Sequence, residues 1–223
     1  MGKPPLIVKV DPAWGEEKLA RVLEPVIDVL RQGGIAVYPT DTVYGVGGRI
    51  DHPGALEKVA WAKRRGPSPF PILVASVEDA ERIAVFNQRA RRLAEAFWPG
   101  PLTIKLRPRS TLNPRLVDSE GRIALREPDH PVPRILARGI GGAIVGTSAN
   151  KSGSPPPSSL EEALVQIGDR VDAAVDGGVA RHGVASTIVD ATVSPPVVVR
   201  VGALLPGDLE KALGEEVRVS GKP

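Results

Sequence analysis

The stretch IAVYPTDTVYGVGG, residues 35–48, begins as an apolar run suited to a buried strand and then turns into hydroxyls, a carboxylate, a tyrosine and three glycines. A strand opening into a polar, glycine-rich loop is α/β grammar, because ligands of open α/β sheets gather beyond the carboxyl ends of strands. Thr40, Asp41 and Thr42 offer acceptors and hydroxyl donors, and Gly45, Gly47 and Gly48 let backbone come close to a ligand. A tight turn between two strands, with Asp41 bonding its own backbone, explains the same residues.

Working outward, strand-length apolar patches alternate with segments of helical period. Upstream lie LIVKV (6–10) and the helix EEKLARVLEPVIDVLRQ (16–32), stopped by Gly33 and Gly34. Downstream the pattern predicts a helix over about 54–63, the strand FPILVA (70–75), helical period from Glu78 to Trp98, the turn WPGP (98–101) and the strand LTIKLR (102–107). After a polar stretch (108–121), RIALR (122–126) reads as a strand, PVPRILARG as a short helix, and GGAIVGTSA (141–149) as one buried strand entering a loop. A helix near 159–167 and short strands around 172–176, 185–190 and 197–201 complete the series. The expectation is a single domain, residues 1–223, with a core from about 20 to 205 and a tail that frays after about 214.

Composition removes several chemistries. There is no cysteine, and three scattered histidines (His52, His130, His182) offer no protein-built metal site. The chain has no P-loop GxxxxGK[ST], no GxGxxG after its first strand and no GxSxG elbow. No apolar run long enough for a membrane span occurs, so a cytoplasmic protein without membrane attachment is expected. The net charge is +3, and its positive side is mostly arginine, the side chain that grips phosphates and carboxylates with a planar fork.

Three clusters could carry chemistry beyond residues 40–48. In KRRGPSPFPILVA (63–75), Lys63 and Arg65 close a helix, where the dipole alone would favour cations. Two residues apart, they share no helix face, and they converge on one ligand only if the helix has ended, as Gly66 and Pro67 suggest. In GTSANKSG (146–153), Ser148 and Asn150 alternate and point to one face of an extended chain. ASTIVD (185–190) supplies further hydroxyls. Arg122, Arg126 and Arg200 lie in or at the ends of apolar strands and need partners, either an anionic ligand or Asp and Glu side chains.

Taken in order, PTDTVYGVG, the KxR of Lys63 and Arg65, WPGPLT, RIALREPDHP, the SxN of Ser148 and Asn150, VDGG with ASTIVD, and the arginine of VVVRVGAL resemble the YrdC-type family of threonylcarbamoyl-AMP synthases over about residues 20–205. The resemblance is to the short, single-domain members. It implies a twisted mixed β-sheet with flanking helices and a basic concave cavity. The implied enzyme is a nucleotidyltransferase converting L-threonine, bicarbonate or CO2, and ATP into L-threonylcarbamoyladenylate and pyrophosphate, for threonylcarbamoyladenosine modification of tRNA.

The resemblance also assigns roles. Lys63 and Arg65 are implied as catalytic cations on the ATP phosphates. Ser68, Arg122 and Arg200 stand toward the nucleotide, Ser148 and Asn150 on phosphate, and Thr42, Arg126 and Ser186 on threonine. Mg2+ arriving with ATP is the implied cofactor, and a downstream tRNA threonylcarbamoyl transferase complex and tRNA itself are candidate partners. Two departures stand out. KRRGPSP carries Gly66 at the first proline position of the family pattern and is one residue shorter, which bears on Ser68, and Leu73 stands where many relatives have a histidine. The alternatives are a double-stranded RNA or tRNA-binding module, which would want stacking aromatics where this chain has only 4% Phe, Trp and Tyr, and a divergent non-synthase paralogue of the same fold.

Overall fold

The alternating pattern is realised as two mixed sheets with helices packed on them. A computed structural model describes residues 4–221. The chain runs β1 (Leu6–Lys9), α1 (Glu16–Arg31), β2 (Ala36–Tyr38), β3 (Gly45–Gly47), α2 (Pro53–Lys63), β4 (Ile72–Val74), α3 (Val77–Ile83), β5 (Ala84–Val85), α4 (Gln88–Phe97) and β6 (Leu102–Pro108). It continues with β7 (Ile123–Arg126), α5 (Pro131–Gly139), β8 (Ala143–Val145), β9 (Thr147–Ser148), α6 (Leu160–Ile167), β10 (Ala173–Asp176), β11 (Thr187–Asp190), β12 (Val197–Arg200), α7 (Pro206–Leu213) and β13 (Arg218–Val219).

One sheet has the order β1-β10-β2-β3-β9, and the other, eight-stranded, has the order β13-β12-β11-β6-β7-β4-β8 with β5 paired to β6. Both mix parallel with antiparallel neighbours: β10 runs parallel to β2, which pairs antiparallel with β3, and β6 runs parallel to β11 and antiparallel to β7. α1 buries Leu19, Leu23, Val26, Ile27 and Leu30, a helical stripe. That stripe packs with Val132, Ile135 and Leu136 of α5 over Ala173 and Val175 of β10. Each such burial contributes about 1.5–3 kcal/mol relative to exposure.

The sheets meet at a corner that the sequence does not announce. GGAIVGTSA is not one strand: β8 belongs to the eight-stranded sheet and β9 to the other, with Gly146 alone between them. The crossing needs bare backbone, since a Cβ at Gly146 would collide with the Leu73 side chain and one at Gly47 with the Val145 carbonyl. The Tyr38 hydroxyl donates to that same carbonyl and ties β2 to the corner.

Two other expectations are corrected. The helical period from Glu78 to Trp98 holds two helices, because Asn87 accepts from the Ala90 N–H as an N-cap at 2.8 Å and Ala84–Val85 pairs with the end of β6. Over the described residues, the tail after 214 is packed and paired, where the sequence suggested a loose end. Val217 is buried, β13 pairs with β12, and Arg89 holds the Glu215 carboxylate with two donors.

Candidate active site

A cavity of about 270 Å³ lies between the two sheets and is walled by residues from both. Strand alternation builds one wall: Thr103 and Lys105 of β6, Ala124 and Arg126 of β7, and Ser186 with Ile188 at β11 all face inward. The 40–43 loop and the 146–148 corner add further lining. The hydroxyl-rich loop is therefore no simple turn. Thr40 Oγ1 accepts from the Thr42 and Val43 amides and lies 2.9 Å from Thr42 Oγ1, so the loop is held by its own first threonine.

Arg126 is the most enclosed of the cations that line the cavity. Its Nε donates to the Gly100 carbonyl at 2.9 Å, Nη1 to Thr42 Oγ1 at 2.8 Å, and Nη2 to the Asp41 carboxylate. Three of five guanidinium protons are thus used, and one on each terminal nitrogen remains. The WPGP turn, read from sequence as structure alone, enters the site through the Gly100 carbonyl. Asp41 Oδ2 has no hydrogen-bond partner among the described residues.

α2 stops at Lys63, with Arg64 in the left-handed region at φ 50°. The turned chain sends Lys63 and Arg65 to the same segment from two sides. Arg65 lines the cavity, donating from Nη1 to Thr147 Oγ1 at 3.0 Å and from Nη2 to the Pro69 carbonyl at 2.9 Å. Arg200 lines it too, with Nε and Nη2 on the Ser186 carbonyl at 3.1 and 2.8 Å and Nη2 also 3.2 Å from Ser186 Oγ. Among the described residues neither Arg65 nor Arg200 has a carboxylate partner, whereas Arg122 has Asp118, Glu120 and Asp190.

The electrostatics follow from these contacts. Desolvation pulls the Arg65 guanidinium below its ordinary pKa, and Arg200 adds to this; desolvation does the same to Arg200, with Arg126 adding. Arginine stays protonated regardless, so the direction measures how unfavourably these positive charges are crowded. Burial also works against Arg122, but its three carboxylates outweigh it and hold that pKa above the ordinary value. One end of the cavity is neutralised by the protein, and the other is left cationic.

Of the residues singled out from sequence, Thr42, Arg65, Arg122, Arg126, Ser148, Ser186 and Arg200 come together on this cavity. Three do not reach the wall. Ser68 is exposed on the shortened turn. Asn150 is buried behind the wall, its Nδ2 donating to the Lys151 and Ser154 carbonyls at 2.9 and 2.7 Å. Lys63, 2% exposed, turns its ammonium onto the Ser148 and Asn150 carbonyl oxygens. Wall residues that the sequence reading passed over are Thr103, Lys105, Asp118 and Thr147. Thr103 and Lys105 had a signal, as the two polar positions alternating inside LTIKL; Asp118, in an irregular stretch, had none.

The chain is similar to proteins of one family, and to solved structures that share its fold. The family named Sua5/YciO/YrdC, described as "Telomere recombination", matches residues 28–202. A threonylcarbamoyl-AMP synthase of Pyrococcus abyssi is 36% identical over 189 residues, covering 83% of this chain and 55% of that protein. A putative threonylcarbamoyl-AMP synthase of Mycobacterium tuberculosis is 36% identical over 200 residues, covering 89% of this chain and 92% of that one. The chain therefore spans about half the length of the first relative and nearly all of the second. Among solved structures, Pyrococcus abyssi Sua5 complexed with L-threonine superposes with a TM-score of 0.89 at 32% identity, covering 97% of this chain and 64% of that one.

Proposed function

This chain belongs to the Sua5/YciO/YrdC family, and on that premise we propose that it is an L-threonylcarbamoyladenylate synthase, consuming L-threonine, bicarbonate or CO2, and ATP and releasing pyrophosphate. The observation that carries the reading is the pair Arg65 and Arg200, partly desolvated guanidiniums that line the cavity with no carboxylate partner among the described residues, beside an Arg126 that keeps two protons free. An anionic nucleotide satisfies the first two, and an amino-acid carboxylate fits the third as a bidentate partner.

The threonine amine takes up CO2 and loses a proton, giving a carbamate. The carbamate oxygen then forms a bond to the α-phosphorus of ATP as the bond to pyrophosphate breaks. The chain's contribution is placement and charge. Arg126, Thr42 and Ser186 hold threonine, while Arg65, Arg200, Thr147 and Ser148 face the phosphoryl oxygens on which negative charge builds. Mg2+ fits this reading as a passenger on the triphosphate, supplying charge neutralisation there; the wall carboxylate Asp118 is already engaged by Lys105 and Arg122. The product would pass to a tRNA threonylcarbamoyl transferase complex, with tRNA as a further partner, in the cytoplasm. No helix among the described residues is long and apolar enough to cross a membrane.

Pyrophosphate release from ATP, assayed with threonine and bicarbonate each present or omitted and with serine as comparison, tests the proposal. Release that needs both substrates and prefers threonine is expected. Release indifferent to either would overturn it.

A further inference from the structure

Lys63 has a buried ammonium with no carboxylate beside it among the described residues, and all its contacts lie on one loop. Nζ donates to the Ser148 carbonyl, to the Asn150 carbonyl at 2.9 Å and to Asn150 Oδ1 at 3.3 Å. An ammonium has three N–H donors, so three acceptors fill it. At the other end of the residue, the Lys63 carbonyl accepts from the Ser152 amide at 2.9 Å. Lys63 thus holds the loop at both ends. Arg65, two residues on, meets the same segment from the cavity side through Thr147 Oγ1.

We propose that Lys63 is a positioning residue: it clamps residues 147–152 from behind, so that Thr147 and Ser148 present their polar groups to the nucleotide phosphate, and does not itself touch the phosphate. The proposal rests on the nucleotide reading of the cavity. A charged donor suits the place because convergent carbonyl oxygens bind an ammonium more strongly than a neutral amide. Its cost shows in burial and the nearby Arg65, which bring the lysine pKa down to about 7.

The variants Lys63→Met and Lys63→Arg test it, read by amide hydrogen exchange of residues 147–152 in the ligand-free protein, by calorimetric binding of inorganic pyrophosphate, and by the Michaelis constants of both substrates. For Lys63→Met the exchange should quicken and KM for ATP rise, each about tenfold, the worth of one net hydrogen bond. KM for threonine should stay within about twofold, a split that general destabilisation would not produce. Lys63→Arg should not rescue, its planar fork being too broad for a cage of three oxygens. Unchanged exchange in Lys63→Met together with weakened pyrophosphate binding, or rescue by Lys63→Arg, would make Lys63 a phosphate ligand and overturn the clamp. If neither variant folds, the wild-type protein crystallised with pyrophosphate decides: Nζ still on the Ser148 and Asn150 oxygens supports the proposal, and Nζ on a phosphoryl oxygen overturns it. Wild-type protein that binds no pyrophosphate would instead sink the nucleotide reading, while the exchange comparison still judges the clamp.

Discussion

Arg122 and Arg65 both reach the cavity wall, and they are supported in opposite ways. Around Arg122 the chain supplies its own anions, Asp118, Glu120 and Asp190. Around Arg65 and Arg200, among the described residues, it supplies only hydroxyls and carbonyls as hydrogen-bond partners. A buried cation with carboxylates is part of the architecture; a partly desolvated cation that lines a cavity without them suits an anion that comes from outside. Arg126 stands between the two cases, anchored by Asp41 and still carrying free donors.

The comparison breaks most visibly at Asp41. Asp41→Ala removes the carboxylate of a pair in which both side chains are almost wholly enclosed, and leaves Arg126 charged and uncompensated. The expected loss of stability is about 3–5 kcal/mol, read from the urea unfolding midpoint at constant m-value. A variant as stable as wild type would show that Arg126 does not depend on its internal partner.

Arg65→Ala tests the opposite end. Here activity should fall roughly 10²-fold or more, by analogy with loss of one preorganised donor, while the unfolding midpoint stays or rises because a desolvated, unneutralised charge has gone. Steady-state pyrophosphate release and a denaturant titration on the same preparation measure both. Full activity, or a collapse in stability, would erase the distinction between the two ends.

What could be read of this from sequence followed the range of the interactions. The strand carrying Ala36–Tyr38, the α1 stripe and the hydroxyl loop at 40–42 were legible because each depends on spacing within a few residues. So was the end of the helix near Lys63, from Gly66 and Pro67; that Lys63 and Arg65 straddle one loop, where the sequence suggested a meeting on one ligand, was not, because it depends on Arg64 turning left-handed and on a segment more than 80 positions away. The Asn87 cap was present in the sequence but was masked by helical period on both sides. The split at Gly146 was hidden by continuous hydrophobicity, since only the collision with Leu73 shows why glycine is needed. Which arginines would find carboxylates was the least legible, because Arg122 and Asp190 are joined by the β6–β11 pairing and not by any local pattern.

The smallest effect sharpens the account of the neutralised end. Burial tends to raise the Asp118 pKa, but Lys105, Arg122 and the amides of Glu120 and Arg122 outweigh it and hold the carboxyl down at about 2. A carboxylate depressed in the folded state binds its proton more weakly there than in the unfolded chain, so it adds stability above the unfolded pKa near 4. That contribution drains away as pH falls through about 2. It amounts to about 2–3 kcal/mol, from a depression of nearly two units at roughly 1.4 kcal/mol per unit. Unfolding free energies of wild type and Asp118→Asn, measured between pH 5 and 2, should converge toward the acid end, with the variant the flatter of the two. Parallel curves would mean that Asp118 is not the group through which this end of the cavity holds its charge.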